Sequence, residues 1–172
     1  MEAQTDPRGR GDPEVSQPRM FGSYMGTAEL PWTWATERLN RARNYWIATT
    51  RADGTPHSRP VWGIWLDNTF YFSTGSLAAS NLVSCPSITV HLESGSEVVI
   101  IEGVAETVNN ATLVERVVSL YNQKYNWNLD PHNVSDPFYA VHPKVAFGWN
   151  IDESELSPES SGLDTATRWR FK

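Results

Sequence analysis

One cysteine, Cys85, is all that this chain of 172 residues contains. An intrachain disulfide is therefore excluded, and a reducing compartment is expected. Next to Pro86 at a predicted helix end, Cys85 reads as a small buried hydrophobe rather than a nucleophile. No run of about 18 apolar residues exists, so no membrane-spanning helix is predicted. No apolar segment near the N-terminus has the form of a secretory signal. The expected location is cytoplasmic. Basic charge is also scarce: 14 Lys and Arg stand against 20 Asp and Glu, for a net charge of −6. That argues against nucleic acid as a partner, because phosphate neutralisation needs a basic excess. The four histidines, His57, His91, His132 and His142, show no ligand spacing with one another or with a cysteine pair, so no metal site is expected. No G-x-G-x-x-G word opens a βαβ unit, and neither a P-loop nor a nucleophile elbow is present. These absences do not exclude an enzyme, because a bound cofactor can perform the hard chemistry.

What the chain does have is apolar and aromatic content. Hydrophobic residues make up 40% and eight are Trp, enough for one folded domain with a real core. Residues 1–22 are rich in Pro, Gly, Arg, Asp and Gln and read as a mobile tail, which leaves 23–172 as the domain. The stretch Tyr45–Thr74 predicts a β-meander. Its strands are Tyr45–Thr50, His57–Leu66 and Thr69–Thr74, with reversals at Asp53-Gly54 and Asp67-Asn68. Pro31 suits the first turn of a helix to about Arg43. Ser76 is placed to cap a short helix through Ser84, with Ala79, Leu82 and Val83 facing inward. Strands are predicted at Ser87–Leu92 and Glu97–Val108, the second interrupted by Gly103 as at a bulge. A second long helix spans Ala111–Tyr125, with Leu113, Val117, Leu120, Tyr121 and Lys124 on one face. A short extended piece at Phe138–His142 and strands at Lys144–Asn150 and Thr165–Phe171 finish the chain. Glu153, Glu155 and Glu159 fall in the acidic loop before the last strand. The fold class is mainly β with peripheral helices, and such a sheet most simply closes into a small antiparallel barrel.

Several words in this order resemble one family. They are Trp46-Ile47-Ala48-Thr49-Thr50, Asp53-Gly54-Thr55-Pro56-His57, Arg59-Pro60-Val61-Trp62-Gly63-Ile64-Trp65 and Tyr71-Phe72-Ser73-Thr74-Gly75. Asn81-Leu82, Glu97-Val98-Val99, Glu102-Gly103-Val104-Ala105-Glu106 and Thr167-Arg168-Trp169-Arg170-Phe171 follow. Over roughly residues 30–171 the chain resembles the pyridoxamine 5'-phosphate oxidase-like, FMN-binding split-barrel family, and within it the actinobacterial flavin and deazaflavin oxidoreductases. The resemblance implies a split β-barrel whose symmetric homodimer carries two cofactor sites at the subunit interface. It implies deazaflavin coenzyme F420, with FMN as the alternative, and a small conjugated organic substrate.

The resemblance also implies the site. Arg59, Pro60, Val61, Trp62 and Gly63 would run beside the ring and phosphate, with Arg59 offering paired donors to phosphate oxygens. Phe72, Ser73, Thr74 and Ser76 would approach the cofactor tail at a helix start. Glu97 would reach the ring from the partner subunit, and Trp149 and Arg168 would lie beside cofactor or substrate. Arg38, Arg41 and Arg43, or Arg168, Arg170 and Lys172, could meet an anionic tail. One departure stands out. Leu77 and Ala78 occupy the places of a basic pair that clamps phosphate in many relatives. Each lost charge-assisted hydrogen bond is worth about 1.5–3 kcal/mol. Two expectations follow: a hydride-transferring oxidoreductase, or a non-catalytic split barrel that sequesters a flavin, a haem-like group or another flat ligand.

Overall fold

The computed structural model describes residues 11–20, 23–24, 28–152, 154 and 163–172. In chain order the elements are β1 (Glu14–Ser16), β2 (Arg19–Met20), β3 (Ser23–Tyr24), α1 (Trp32–Arg41), β4 (Tyr45–Thr50), β5 (Pro56–Val61), β6 (Ile64–Leu66) and β7 (Thr69–Ser73). Then come α2 (Leu77–Ser84), β8 (Ser87–His91), β9 (Glu97–Thr107), α3 (Ala111–Tyr125), β10 (Phe138–Asn150) and β11 (Thr167–Arg170). β2 and β3 pair with each other; the other nine strands form one antiparallel sheet in the order β1-β11-β10-β9-β8-β4-β5, with β7 and then β6 branching from β10.

Local chemistry explains most boundaries. Gly54 takes φ +85 in the β4–β5 reversal, and Asp67 and Asn68 are both left-handed in the β6–β7 hairpin, as a two-residue turn requires. Ser76 accepts a hydrogen bond from the Ala78 N–H to start α2, and Asn110 does the same from Leu113 to start α3. Asn126 closes α3 in the left-handed conformation.

Several expectations are corrected. The sheet does not close into a hydrogen-bonded cylinder. The predicted single strand 57–66 is broken at Trp62-Gly63, so among the described residues β5 pairs only with β4 and β6 only with β7. The two sides are linked there by the chain itself, which is the split. Next, Phe138–Asn150 is one strand that runs through Pro143. Pro143 falls between the ladder to β7, which ends at Val141, and the ladder to β11, which starts at Val145, so its missing N–H is tolerated. The bulge is on β10, between Pro143 and Val145, opposite Gly103 rather than at it. In α2, Val83 points outward at 84% exposure, while Ala78, Asn81 and Leu82 are buried. Asn81 is admitted because its amide donates to Thr49 Oγ1 at 2.9 Å. Finally, Glu14–Ser16, inside the expected tail, joins the sheet against Arg168–Arg170. Glu153, Glu155 and Glu159 lie outside the described residues. Cys85 is half-buried rather than buried, at the end of α2.

The main core gathers α1, α2 and one face of the sheet around Leu39, Tyr45, Ile47, Phe70, Phe72, Val90, Ile101 and Trp169. A second cluster packs α3 through Val117, Val118 and Tyr125 on Ile64, Tyr71, Phe138 and Ala140. No helix among the described residues is long and apolar enough to cross a membrane.

Candidate functional site

Strand register sorts the candidate residues onto two faces, since opposed residues in an antiparallel pair share a face. One row crosses seven strands as Val15, Trp169, Ala146, Ile101, Val90, Ile47 and Arg59. Five of its seven members are fully buried core residues. The row ends in a guanidinium. Arg59 is half-buried on the outermost strand of its side of the sheet, and its side chain has no hydrogen bond or ion pair among the described residues. Val61 lies on the same face two residues on.

The adjacent row on the opposite face reads Ser16, Arg168, Phe147, Ile100, His91, Trp46 and Pro60. Register thus joins Pro60 and Arg168, two candidate residues distant in sequence. Trp149, opposite Val98, belongs to this face as well. Trp46 and His91 stack with rings 6° from parallel. None of Trp46, Val98, Ile100, Phe147 or Trp149 belongs to either core cluster. Arg168 is held to Ser16, with Nε and Nη2 at 3.1 and 3.0 Å from its Oγ.

Other candidates are committed elsewhere. Phe72 is fully buried in the core. Ser73 Oγ donates to the Asp136 carbonyl at 3.1 Å. The Thr74 and Ser76 hydroxyls lie 2.7 Å apart, and Ser76 caps α2. Leu77 is exposed and Ala78 is fully buried, so this turn presents no cation. Glu97 forms an ion pair with Arg38, whose guanidinium lies 3.8 Å from the Trp34 ring centre. Together with Arg41, Arg43, Asn44 and Glu93 they line an open pocket of about 200 Å³. Among the described residues no group of three or more His, Cys, Asp or Glu comes together.

The Trp62-Gly63 corner is gripped by the end of α3. The Gly63 N–H donates to Tyr125 Oη at 2.9 Å, and the Tyr125 proton is shared between the carbonyls of Arg43 and Gly63 at 2.8 and 2.9 Å. Trp62 stacks on Tyr125 at 4.6 Å. Lys124 Nζ donates to Tyr45 Oη at 2.7 Å and to the Gly63 carbonyl at 3.1 Å, and Tyr45 donates onward to the Leu39 carbonyl.

Burial pushes the Lys124 ammonium down to about 8 and the Tyr125 phenol up to about 12, and it raises Tyr45 as well. The two shifts act oppositely on stability. Between pH 8 and 10 the unfolded chain holds more protons on Lys124, so stability rises with pH. Above 10 the unfolded chain loses tyrosine protons first, so stability falls. Urea midpoints measured from pH 7 to 11 should therefore pass through a maximum near pH 10. In Lys124→Met the rising limb should vanish and the falling limb remain. A wild-type profile that is flat from 8 to 10 would contradict the burial of this amine.

The model of the pyridoxamine 5'-phosphate oxidase family matches residues 35–150, which span α1 to the end of β10. The chain belongs to that family. No curated protein matches it. Among solved structures, a conserved hypothetical protein of Mycobacterium tuberculosis is 21% identical with a TM-score of 0.68, covering 80% of this chain and 96% of its own. A FAD-binding protein of Mesorhizobium loti is 15% identical with a TM-score of 0.56, covering 81% and 95%. An F420 reductase is 18% identical with a TM-score of 0.53, covering 64% and 93%. Identities this low establish the fold alone, and that fold is the oxidase family's split barrel.

Within this family member, sequence reasoning missed Tyr125 and the role of Arg38. It placed Lys124 on the apolar face of α3 without assigning it a partner. The available signal was a lysine on an apolar stripe, which has to find acceptors there.

Proposed function

We propose that this protein is a homodimeric, flavin- or deazaflavin-dependent oxidoreductase that passes hydride between the bound cofactor and a small conjugated organic substrate. The observation that carries the proposal is Arg59: a guanidinium with no partner among the described residues, closing a row of core residues on a strand that pairs, among those residues, on one side alone. A charge held half out of water in this way calls for a counter-charge, and a cofactor phosphate supplies one with matching geometry. The half-buried face of Trp46, Ile100, Phe147 and Trp149, outside both core clusters, supports the homodimer, since a second copy would cover it. Pro60, Trp149 and Arg168 would then lie at the interface. The F420 reductase and FAD-binding relatives support a flavin-type cofactor; the words Pro60-Val61-Trp62-Gly63-Ile64-Trp65 and Thr167-Arg168-Trp169-Arg170-Phe171 favour the deazaflavin F420 over FMN and the actinobacterial branch over others.

The cofactor would supply the hydride chemistry. The chain would anchor the anionic tail through Arg59, hold the ring against β5 and Gly63, and keep the Trp62-Gly63 corner still through Tyr125 and Lys124. A carrier without turnover is the second reading, favoured by the missing cations at Leu77 and Ala78. Fluorescence-quenching titrations with FMN and with F420, followed by reoxidation of the reduced cofactor in the presence of candidate substrates, separate the two. Quenching with turnover supports the enzyme and quenching alone the carrier. Silence with both cofactors, or sedimentation as a monomer, rejects the proposal as stated. Arg59→Ala should weaken cofactor binding about tenfold; an unchanged Kd removes Arg59 from the site.

A further inference from the structure

A second cleft, about 220 Å³ in volume, opens between α1, α3 and β6 and is lined by Asn40, Ile64, Trp65, Leu120, Gln123 and Lys124. Of its lining residues only Lys124 has a part in the reading above, where it braces the Gly63 carbonyl rather than touching the cofactor. Its walls are apolar on three residues, carboxamide on two and cationic on one. Lys124 is the unusual member. Both its acceptors are uncharged, because Tyr45 Oη has committed its own proton to the Leu39 carbonyl and the other acceptor is the Gly63 carbonyl. Among the described residues no carboxylate lines the cleft. A half-buried ammonium with only neutral partners carries an uncompensated desolvation cost. Two of its three donors are used.

We infer that this cleft is a binding site for a small organic carboxylate with an apolar body, whose anionic group pairs with Lys124 and accepts from the Asn40 or Gln123 amide while its body lies against Ile64, Trp65 and Leu120. An anion here supplies the missing counter-charge without breaking either existing hydrogen bond of Lys124. Neutral ligands of the same shape gain the apolar contact and an uncharged hydrogen bond but supply no counter-charge.

Benzoate and benzamide are the probes, titrated into the full chain by calorimetry. Benzoate should bind saturably at one per chain and at least about tenfold more tightly than benzamide, the increment of one charged hydrogen bond. Binding should also restore the depressed ammonium. Repeating the titration at pH 8.5 in buffers of different ionisation enthalpy should then show uptake of roughly half a proton per benzoate. Lys124→Met should abolish the preference for benzoate. Because Lys124 also braces Gly63, Gln123→Glu is the independent variant: exposed on α3, it places a competing carboxylate at the cleft and should weaken benzoate about tenfold with unchanged melting. Absence of saturable binding, equal affinity for benzamide, or indifference to Gln123→Glu overturns the inference. The result does not depend on either cofactor titration.

Discussion

Trp169→Ala is expected to lower the unfolding free energy by about 3–5 kcal/mol, the range for large aromatic truncations in well-packed cores. Trp169 is fully buried at the crossing of two neighbourhoods. Its indole meets Trp32 edge to face at 5.3 Å, and its ring atoms lie where a Cβ on Gly148 would come within 2.8–2.9 Å of them. The glycine on β10 is what makes room for the indole on β11. Trp169 Nε1 donates to the Leu30 carbonyl at 3.2 Å, so truncation also leaves that acceptor without this donor. The surroundings cannot collapse easily, because Trp32 is itself braced by Trp65 at 6.0 Å and Phe171 at 5.0 Å. Since small domains are stable by only about 5–15 kcal/mol, the variant should lose about a fifth of its margin or more. Trp127→Ala, at a site 57% exposed, should stay within about 0.5 kcal/mol. Urea unfolding of both, with unchanged m-values, checks this. A loss below about 1 kcal/mol at Trp169 would mean that the aromatic cluster is not the keystone of this side of the core.

How much of this was legible in the sequence depended on whether a boundary was set locally or by distant packing. The start of α2 was readable because Ser76 carries its own cap, and that of α3 from the apolar spacing of Ala111–Tyr125, with Asn110 as the cap that the structure adds. The reversals around Gly54 and Asp67-Asn68 were readable because few residues tolerate those dihedrals. The break at Trp62-Gly63 was not, because it is imposed by the Phe70 ring, Tyr125 and Lys124, none of them a neighbour in sequence. Pro143 looked like an interruption because the sequence does not say which side of β10 lacks a neighbour. An inward Val83 is a natural reading because Val83 adjoins Leu82 in a short helix with five apolar residues of eight, but core packing of Ala78 and Leu82 together with the Asn81–Thr49 hydrogen bond turns Val83 outward. The site was legible as a set of words but not as a surface. Pro60 and Arg168 share a row only through the intervening ladders, and the commitment of Thr74 and Ser76 to each other appears only with coordinates.

Gly63→Ala carries the other large effect and joins the fold to the proposed function. A Cβ on Gly63 would stand 2.3 Å from two carbons of the Phe70 ring and 2.7 Å from the Tyr71 carbonyl oxygen. One obstacle is backbone and the other is a fully buried ring, held at 4.5 Å by Tyr45 and at 5.7 Å by Phe72. Neither can step aside, so Gly63 itself has to move. Its N–H and carbonyl are both held by α3, through Tyr125 and Lys124. Overpacking a core costs about 1–3 kcal/mol, and here a loss near 3 kcal/mol is expected because a hydrogen-bonded corner is displaced as well. Gly95→Ala, with nothing within 4 Å of its new Cβ, is the control and should be nearly neutral. The functional consequence differs in kind from that of Arg59→Ala. Arg59→Ala removes one contact and leaves the scaffold in place, so melting should be unchanged while cofactor affinity falls. Gly63→Ala shifts the end of β5 and the start of β6 together, so stability and cofactor affinity should fall in parallel, even in buffers where the fold persists. If stability drops near 3 kcal/mol while cofactor affinity is untouched, the corner belongs to the core alone and the cofactor groove lies elsewhere on β5.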